Sequence, residues 1–253
     1  MKVLVVDVGG THVKLKLAEG SERREADTGP DFGPIELVDA VHELAAGWDY
    51  DALSLGYPGV VRRGVPVYDP ANLAPGWVGF DFAAAFERPL KMLNDAALQA
   101  VGGYRGGRML FLGLGTGLGS ALIADERILP LELAHLPYKK KRTYEQYLGK
   151  AGRTRLGRRK WEKHAAVVVE ILRAALQADE VLIGGGRADE LVELPKRIAS
   201  VRIGGNEHAF EGGALLFGDS PFAAQVPEFR LEEPPHPGAS EPDDAAPVIQ
   251  RRG

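Results

Sequence analysis

Cysteine is absent from all 253 residues, which removes disulfides, thiolate nucleophiles and cysteine-ligated zinc, and suits a reducing cytosol. Long apolar runs are missing too: none approaches the roughly 18 residues that a membrane helix needs. The amino terminus, MKVLVVDVGG, is too short in its apolar part for a signal peptide and reaches Asp7 without a cleavage-site pattern. Nor is there an excess of positive charge. A formal net charge of −4 provides no overall basic field for nucleic acid. What is present is ordinary globular composition, 45% hydrophobic and 26% charged, in a length that suits one large domain or two modest ones. A cytoplasmic protein with no membrane and no nucleic-acid partner is expected.

Apolar runs and helical spacing alternate along the chain. Val3–Val8 is a continuous apolar run, followed by Gly9-Gly10-Thr11-His12 and an alternating segment through Val13, Leu15 and Leu17. That pattern predicts a buried strand, a glycine turn and a second, half-exposed strand. Residues 35–48 have helical spacing, 52–55 and 90–93 read as short strands, and 109–114 with 120–124 form a second hairpin across Gly115-Thr116-Gly117. An amphipathic helix is expected over 161–176, a strand over 181–183 ending in Gly184-Gly185-Gly186, and a closing helix over 209–217. Alternation of strands and helices gives the α/β class. From 219 to 253 there are seven prolines, and seven acids against three arginines, so that segment is expected to be a disordered acidic tail. A docking peptide carried by Phe222, Phe229 and Leu231 is the alternative.

Strand, glycine-threonine turn and return strand occur twice, as DVGGTHVKL (7–15) and GLGTGLGSAL (113–122). Two lobes of similar plan follow. Glycine N–H groups and a threonine hydroxyl can converge on an anion where no Cβ blocks the approach. Neither standard nucleotide motif is present. The only Gly-Lys pair, Gly149-Lys150, has Tyr144 where a P-loop needs glycine, and the third glycine of G-x-G-x-x-G falls on Leu118 or Ser120. Each turn by itself is equally a tight hairpin. Asp7, at the end of a buried strand, is the kind of acid that holds Mg²⁺ beside a polyphosphate.

Asp7-x-Gly9-Gly10-Thr11, Gly56-Tyr57-Pro58-Gly59, Asn94-Asp95-Ala96, Gly113-x-Gly115-Thr116-Gly117-x-Gly119, Glu132-Leu133-Ala134-His135 and Gly184-Gly185-Gly186 come in the order found in ROK sugar kinases. Within that family the chain most resembles the polyphosphate-dependent glucokinases, through NLAPGW (72–77), LGTGLGSAL (114–122), LPLELAHL (129–136) and GRRKW (157–161). The resemblance covers about 1–218. It implies a two-lobed actin-like ATPase fold (sugar kinase/Hsp70/actin) with the sugar in an interlobe cleft. The lobes would span 1–93 and 94–203, and 204–218 would be a helix returning to the first lobe. It further implies transfer of a terminal phosphoryl to the 6-hydroxyl of glucose, with Asp95 as general base. Phosphates would lie on Gly9, Gly10, Thr11, Lys14, Gly115, Thr116 and Gly117, with Gly184, Gly185 and Gly186 on the nucleotide side. Hexose contacts would come from Asn72, Asn94, Glu132, His135 and Glu145. A homodimer is also implied.

Local chemistry leaves alternatives beside these roles. Asp95 is also suited to cap a helix over 96–101. Glu132 and His135, three apart, would share one face of a helical turn, and a Glu-x-x-His pair can ligate metal. The family's cysteine cluster is missing, so no structural zinc is expected. Ala134 stands where relatives carry glycine, which bears on substrate size. No helix-turn-helix segment precedes Met1, so a kinase is expected rather than one of the family's sugar-responsive repressors. Residues 139–163 carry eleven Lys and Arg against two Glu. Lys139, Lys140, Lys141, Arg153, Arg158 and Arg159 would suit a linear polyphosphate. Nucleic acid would gain equally, with Tyr144, Tyr147 and Trp161 as stacking candidates, and a solvated basic face is the plain alternative. Polyphosphate and ATP both remain as donors. Competing functions are an ATP-dependent kinase for mannose or an N-acyl hexosamine, and a non-catalytic sugar sensor or polyanion-binding protein.

Overall fold

β1 (Val3–Val8) is apolar along most of its length because both its faces are covered. Leu4, Val6 and Val8 enter one core, and Val3 and Val5 enter another. This is seen in a computed structural model that describes residues 1–205 and 207–231. The chain turns through the first glycines into β2 (His12–Leu17) and β3 (Arg23–Asp27), packs α1 (Pro34–Leu44), and returns as β4 (Ala52–Tyr57). A small ribbon, β5 (Val61–Arg62) with β6 (Val65–Pro66), and the short α2 (Phe82–Phe86) precede β7 (Leu90–Asn94), which runs directly into α3 (Asp95–Gly103). Sheet order is β3-β2-β1-β4-β7.

The second half repeats this plan strand for strand. β8 (Arg108–Leu114), β9 (Leu118–Ala124) and β10 (Arg127–Leu131) form an antiparallel meander. After α4 (Tyr144–Leu148), α5 (Lys150–Leu156) and α6 (Arg158–Ala175) come β11 (Glu180–Gly184), α7 (Leu194–Arg197) and β12 (Val201–Ile203). Sheet order is β10-β9-β8-β11-β12, with β11 parallel to both β8 and β12. The corresponding strands of the first sheet pair the same way, β4 parallel to β1 and β7. The two glycine-threonine turns therefore occupy equivalent corners. The α/β class and the actin-like plan are both present.

Between the sheets lies a third core built on α3 and α8 (Glu207–Ala214), with Val3 and Val5 of β1 and Met109 and Phe111 of β8. The two helices touch backbone to backbone. A Cβ on Gly212 would collide with the Leu98 carbonyl, and one on Gly102 with the His208 carbonyl. Gly213 lies directly against the Val5 side chain.

The structure corrects the expected tail. Phe222, Val226 and Phe229 are buried, the Phe229 N–H donates to the Leu90 carbonyl at 2.7 Å, and Gln225 bonds both Glu126 and Ile128. Folded chain therefore runs to 231, because three well-spaced apolar side chains dock on the body despite the prolines around them. Their binding partner is this chain itself, while Leu231 is exposed. The remainder of the expected tail, 232–253, lies outside the described residues. Other differences are smaller. β3 reads RREAD, an edge strand with no apolar alternation, and the chain after β10 makes a single turn closed by the Leu136 N–H to the Leu133 carbonyl at 3.2 Å rather than a helix. Among the described residues, no helix is long and apolar enough to cross a membrane.

Candidate active site

Asp7 and Asp95 project from two strand ends of the first sheet, separated by β4. Asp7 faces Lys14 across the β1–β2 hairpin and Gly56 across the β1–β4 pair. A Cβ on Gly56 would stand 3.2 Å from Asp7 Oδ1, so the glycine leaves room for the carboxylate. Burial raises the Asp7 carboxyl to about 6, opposed by the Lys14 ammonium. Asp95 rises to about 7, first through burial, then through the negative charges of Asp7 and Glu132, against a hydrogen bond from the Ala96 N–H at 2.8 Å. Desolvation outweighs that hydrogen bond. Charges from both sheets thus converge on Asp95.

The cap of α3 is Asn94, not Asp95. Asn94 Oδ1 accepts from the Ala97 N–H at 3.1 Å, and its amide donates to the Gly59 carbonyl at 3.0 Å. This leaves Asp95 as the first helical residue, with its carboxylate at the favourable end of the helix dipole. Gly119 lets α3 seat against β9, since a Cβ there would approach Ala96 Cβ to 2.8 Å.

Around the first glycine turn, Gly9 N–H donates to the His12 carbonyl at 2.9 Å. Thr28 grips the turn twice: its hydroxyl donates to the Gly9 carbonyl at 2.7 Å and its N–H to the Thr11 carbonyl at 2.9 Å. Gly10 and Thr11 are exposed, and Asn72 lies beside them, its Cβ 3.5 Å from where a Gly10 Cβ would be. Asn72 is therefore next to the first glycine turn.

The second turn is held from the other side. Glu145 Oε2 accepts from the Leu118 N–H at 3.3 Å, and a Cβ on Gly117 would overlap that carboxylate. The Lys150 N–H donates to the Thr116 carbonyl at 3.2 Å. Glu145 also ties back to the loop after β10 through its own N–H, donated to the Ala134 carbonyl at 3.0 Å. Glu132 is raised by burial and by the Glu145 charge, and lowered by His135. These three residues form one cluster although no helix joins them.

Gly184–Gly186 packs on the second turn. Gly185 has φ +83°, and a Cβ there would lie 2.6 Å from the Leu114 carbonyl. That contact gives Gly185 a packing reason of its own. Of the basic candidates, Lys139, Lys140, Lys141, Arg158 and Arg159 are exposed. Arg153 is turned inward onto Glu190 at 2.5 Å and over the Trp161 ring, so its charge is engaged within the fold. Tyr144, Tyr147 and Trp161 are all buried, which removes them as a surface on which bases could stack.

Mg²⁺ fits this donor set. Two desolvated carboxylates, with the Asp7 charge raising the proton affinity of Asp95, favour a cation beside them. Among the described residues no group of three or more His, Cys, Asp or Glu is arranged to hold a metal ion. That is compatible with Mg²⁺, which is bound through one or two carboxylates plus substrate phosphates.

No family model matches the chain. It is 28% identical over 213 residues to the polyphosphate glucokinase of Mycobacterium leprae (strain TN), covering 75% of this chain and 65% of that relative's length. Among solved structures, it is similar to the inorganic polyphosphate/ATP-glucomannokinase of Arthrobacter sp. strain KM, with TM-score 0.72 and 24% identity over 88% of this chain and 99% of that one. It is also similar to a ROK family glucokinase from Streptomyces griseus in complex with glucose and AMPPNP. There the TM-score is 0.72 and the identity 18%, over 85% of this chain and 99% of that one.

Proposed function

We infer that this chain, which belongs with the ROK sugar kinases close to the polyphosphate glucokinases, transfers the terminal phosphoryl group of polyphosphate or ATP to the 6-hydroxyl of glucose. The observation that carries the reading is Asp95. Its carboxyl is raised to about 7 at the start of a capped helix, with a phosphate-suited glycine turn from each sheet nearby. With Oδ1 held by the Ala96 N–H, the second oxygen is left to accept the hydroxyl proton. As that proton moves to Asp95, the sugar oxygen forms its bond to phosphorus and the bond to the leaving phosphate breaks. Glycine N–H groups and the hydroxyls of Thr11 and Thr116 align the phosphates, where most of the acceleration arises. Bound beside Asp7, Mg²⁺ would neutralise charge on the donor phosphates. Asn94, Glu132 and His135 would grip sugar hydroxyls, joined by Asn72 beside the first glycine turn and Glu145 beside the second.

Polyphosphate is favoured by the exposed cations. Lys140 and Lys141 stand at the tip of a loop closed by Arg142 N–H to Lys139 and Tyr138 N–H to Arg142. α6 opens with Arg158, Arg159 and Lys160 and has no acid in its first turn, so helix dipole and side chains are positive together. ATP is favoured by the third glycine turn, where Gly186 is exposed. A cytoplasmic homodimer completes the proposal.

Glucose 6-phosphate formation with Mg²⁺ tests it, comparing nucleotide-free long-chain polyphosphate with polyphosphate-free ATP. Turnover with polyphosphate is expected. Replacing Lys140 and Lys141 together by alanine should raise the KM for long-chain polyphosphate about 2- to 10-fold, as exposed ion pairs do, and weaken its salt dependence. Silence with both donors, despite glucose binding, would leave a sugar sensor. A separate expectation concerns Thr28→Val, which removes the hydroxyl from the Gly9 carbonyl. Losing one such bond should raise donor KM about 2- to 10-fold, with glucose KM little changed, as steady-state kinetics will show.

A further inference from the structure

Ser120 is 2% exposed and lies in β9 opposite Leu131, the last residue of β10. Ladder pairing stops there, and the next residue is Glu132. A side chain then takes over from the backbone. Ser120 Oγ donates to the Leu131 carbonyl at 2.8 Å and accepts from the Leu133 N–H at 3.2 Å. One hydroxyl therefore holds the peptide groups on both sides of Glu132, using its donor and an acceptor site at once. Burial by itself does not produce this: Ser54, also fully buried, has its Oγ unpartnered. The clasp continues into the rest of the site. Ala134 accepts from the Glu145 N–H at 3.0 Å, and Glu145 accepts from Leu118, two residues before Ser120 on β9.

We propose that Ser120 is the positioning residue for Glu132, fixing where that carboxylate meets the sugar. The proposal rests on Glu132 being a hexose contact. An exposed glutamate at a fraying strand end would otherwise spread over many orientations, and ordering it would reduce sugar affinity. Ser120 touches neither substrate nor phosphate in this scheme. It acts through the backbone on either side of a single residue.

The test uses Ser120→Ala, Glu132→Gln and the double variant in the full chain. It reads glucose KM, donor KM and kcat, with glucose affinity by calorimetry and Tm alongside. Ser120→Ala should raise glucose KM and Kd about 5- to 20-fold, the loss of two modest hydrogen bonds, while donor KM changes less than about twofold. In the double variant, glucose binding should be no weaker than in Glu132→Gln, since removing the carboxylate removes what Ser120 positions. Multiplying effects would overturn the proposal, as would a fall in Tm with glucose binding unchanged. If Glu132→Gln alone leaves glucose binding intact, the sugar contact itself is wrong. Ser120→Cys, of similar size but weakly hydrogen-bonding, provides the same comparison if the alanine variant does not fold.

Discussion

Asp95→Asn should lower kcat by about 10²- to 10⁴-fold, the usual worth of a positioned general base, while glucose still binds. In the parent protein, kcat/KM should rise with pH through about 7, because the carboxyl raised to that value must lose its proton before it can accept another. The variant's residual rate should lack that limb. Stability should move the opposite way. Folding raises the Asp95 carboxyl from its ordinary value of 3.8 to about 7, so the folded chain binds this proton more tightly than the unfolded chain. Stability from that source is full below about pH 4 and is lost as pH rises through about 7. An asparagine side chain does not titrate, so the variant should melt higher than the parent at pH 8, by about 2–4 °C for each kcal/mol relieved. The gap should close towards pH 4. A variant that keeps full turnover, or whose Tm advantage grows as pH falls, would contradict the assignment of base and burial together.

The largest loss of stability is expected from Gly212→Ala. Its new methyl would meet the Leu98 carbonyl and the Gly102 N–H of α3, all of it backbone, so no side chain can swing aside. Relief requires the two helices to separate, opening the core they share with β1 and β8. Overpacking of this kind costs about 1–3 kcal/mol and here should reach the upper end, lowering Tm by about 6–12 °C. Turnover should fall too, since α3 carries Asp95 at its first position. Thermal unfolding with and without glucose checks this. An unchanged Tm would mean that α3 and α8 do not touch as described.

Much of this was legible in the chain. The run Val3–Val8 appeared as a strand because burial on two faces demands apolar residues throughout. The doubled glycine-threonine hairpin announced two sheets of one plan, and the helical stripe of Trp161, Ala165, Val168 and Leu172 turned inward as its period requires. Elements without an apolar period were not visible. β3 is charged on both faces and is a strand only because β2 offers an open edge. α4 and α5 are short and sit inside the basic run, where charge count made Tyr144 and Tyr147 surface stacking candidates and concealed Leu148, though all three are buried. Composition likewise concealed Val226 among prolines and acids, and left Phe222 and Phe229 as a docking peptide rather than part of this chain's own core.

By itself, then, the sequence determined the α/β class, the two glycine-threonine turns, and the strand-end carboxylates Asp7 and Asp95. Each is encoded by local chemistry: hydrophobic period, glycine at tight turns, an acid closing an apolar run. Only the tertiary structure decided that Asn94 caps α3 and frees Asp95, that Arg153 is held by Glu190, and that Ser120 clasps both sides of Glu132. It also decided that folded chain continues to 231. Those outcomes depend on which groups meet across β-ladders and between helices, and partners distant in sequence leave no period or spacing from which to read them.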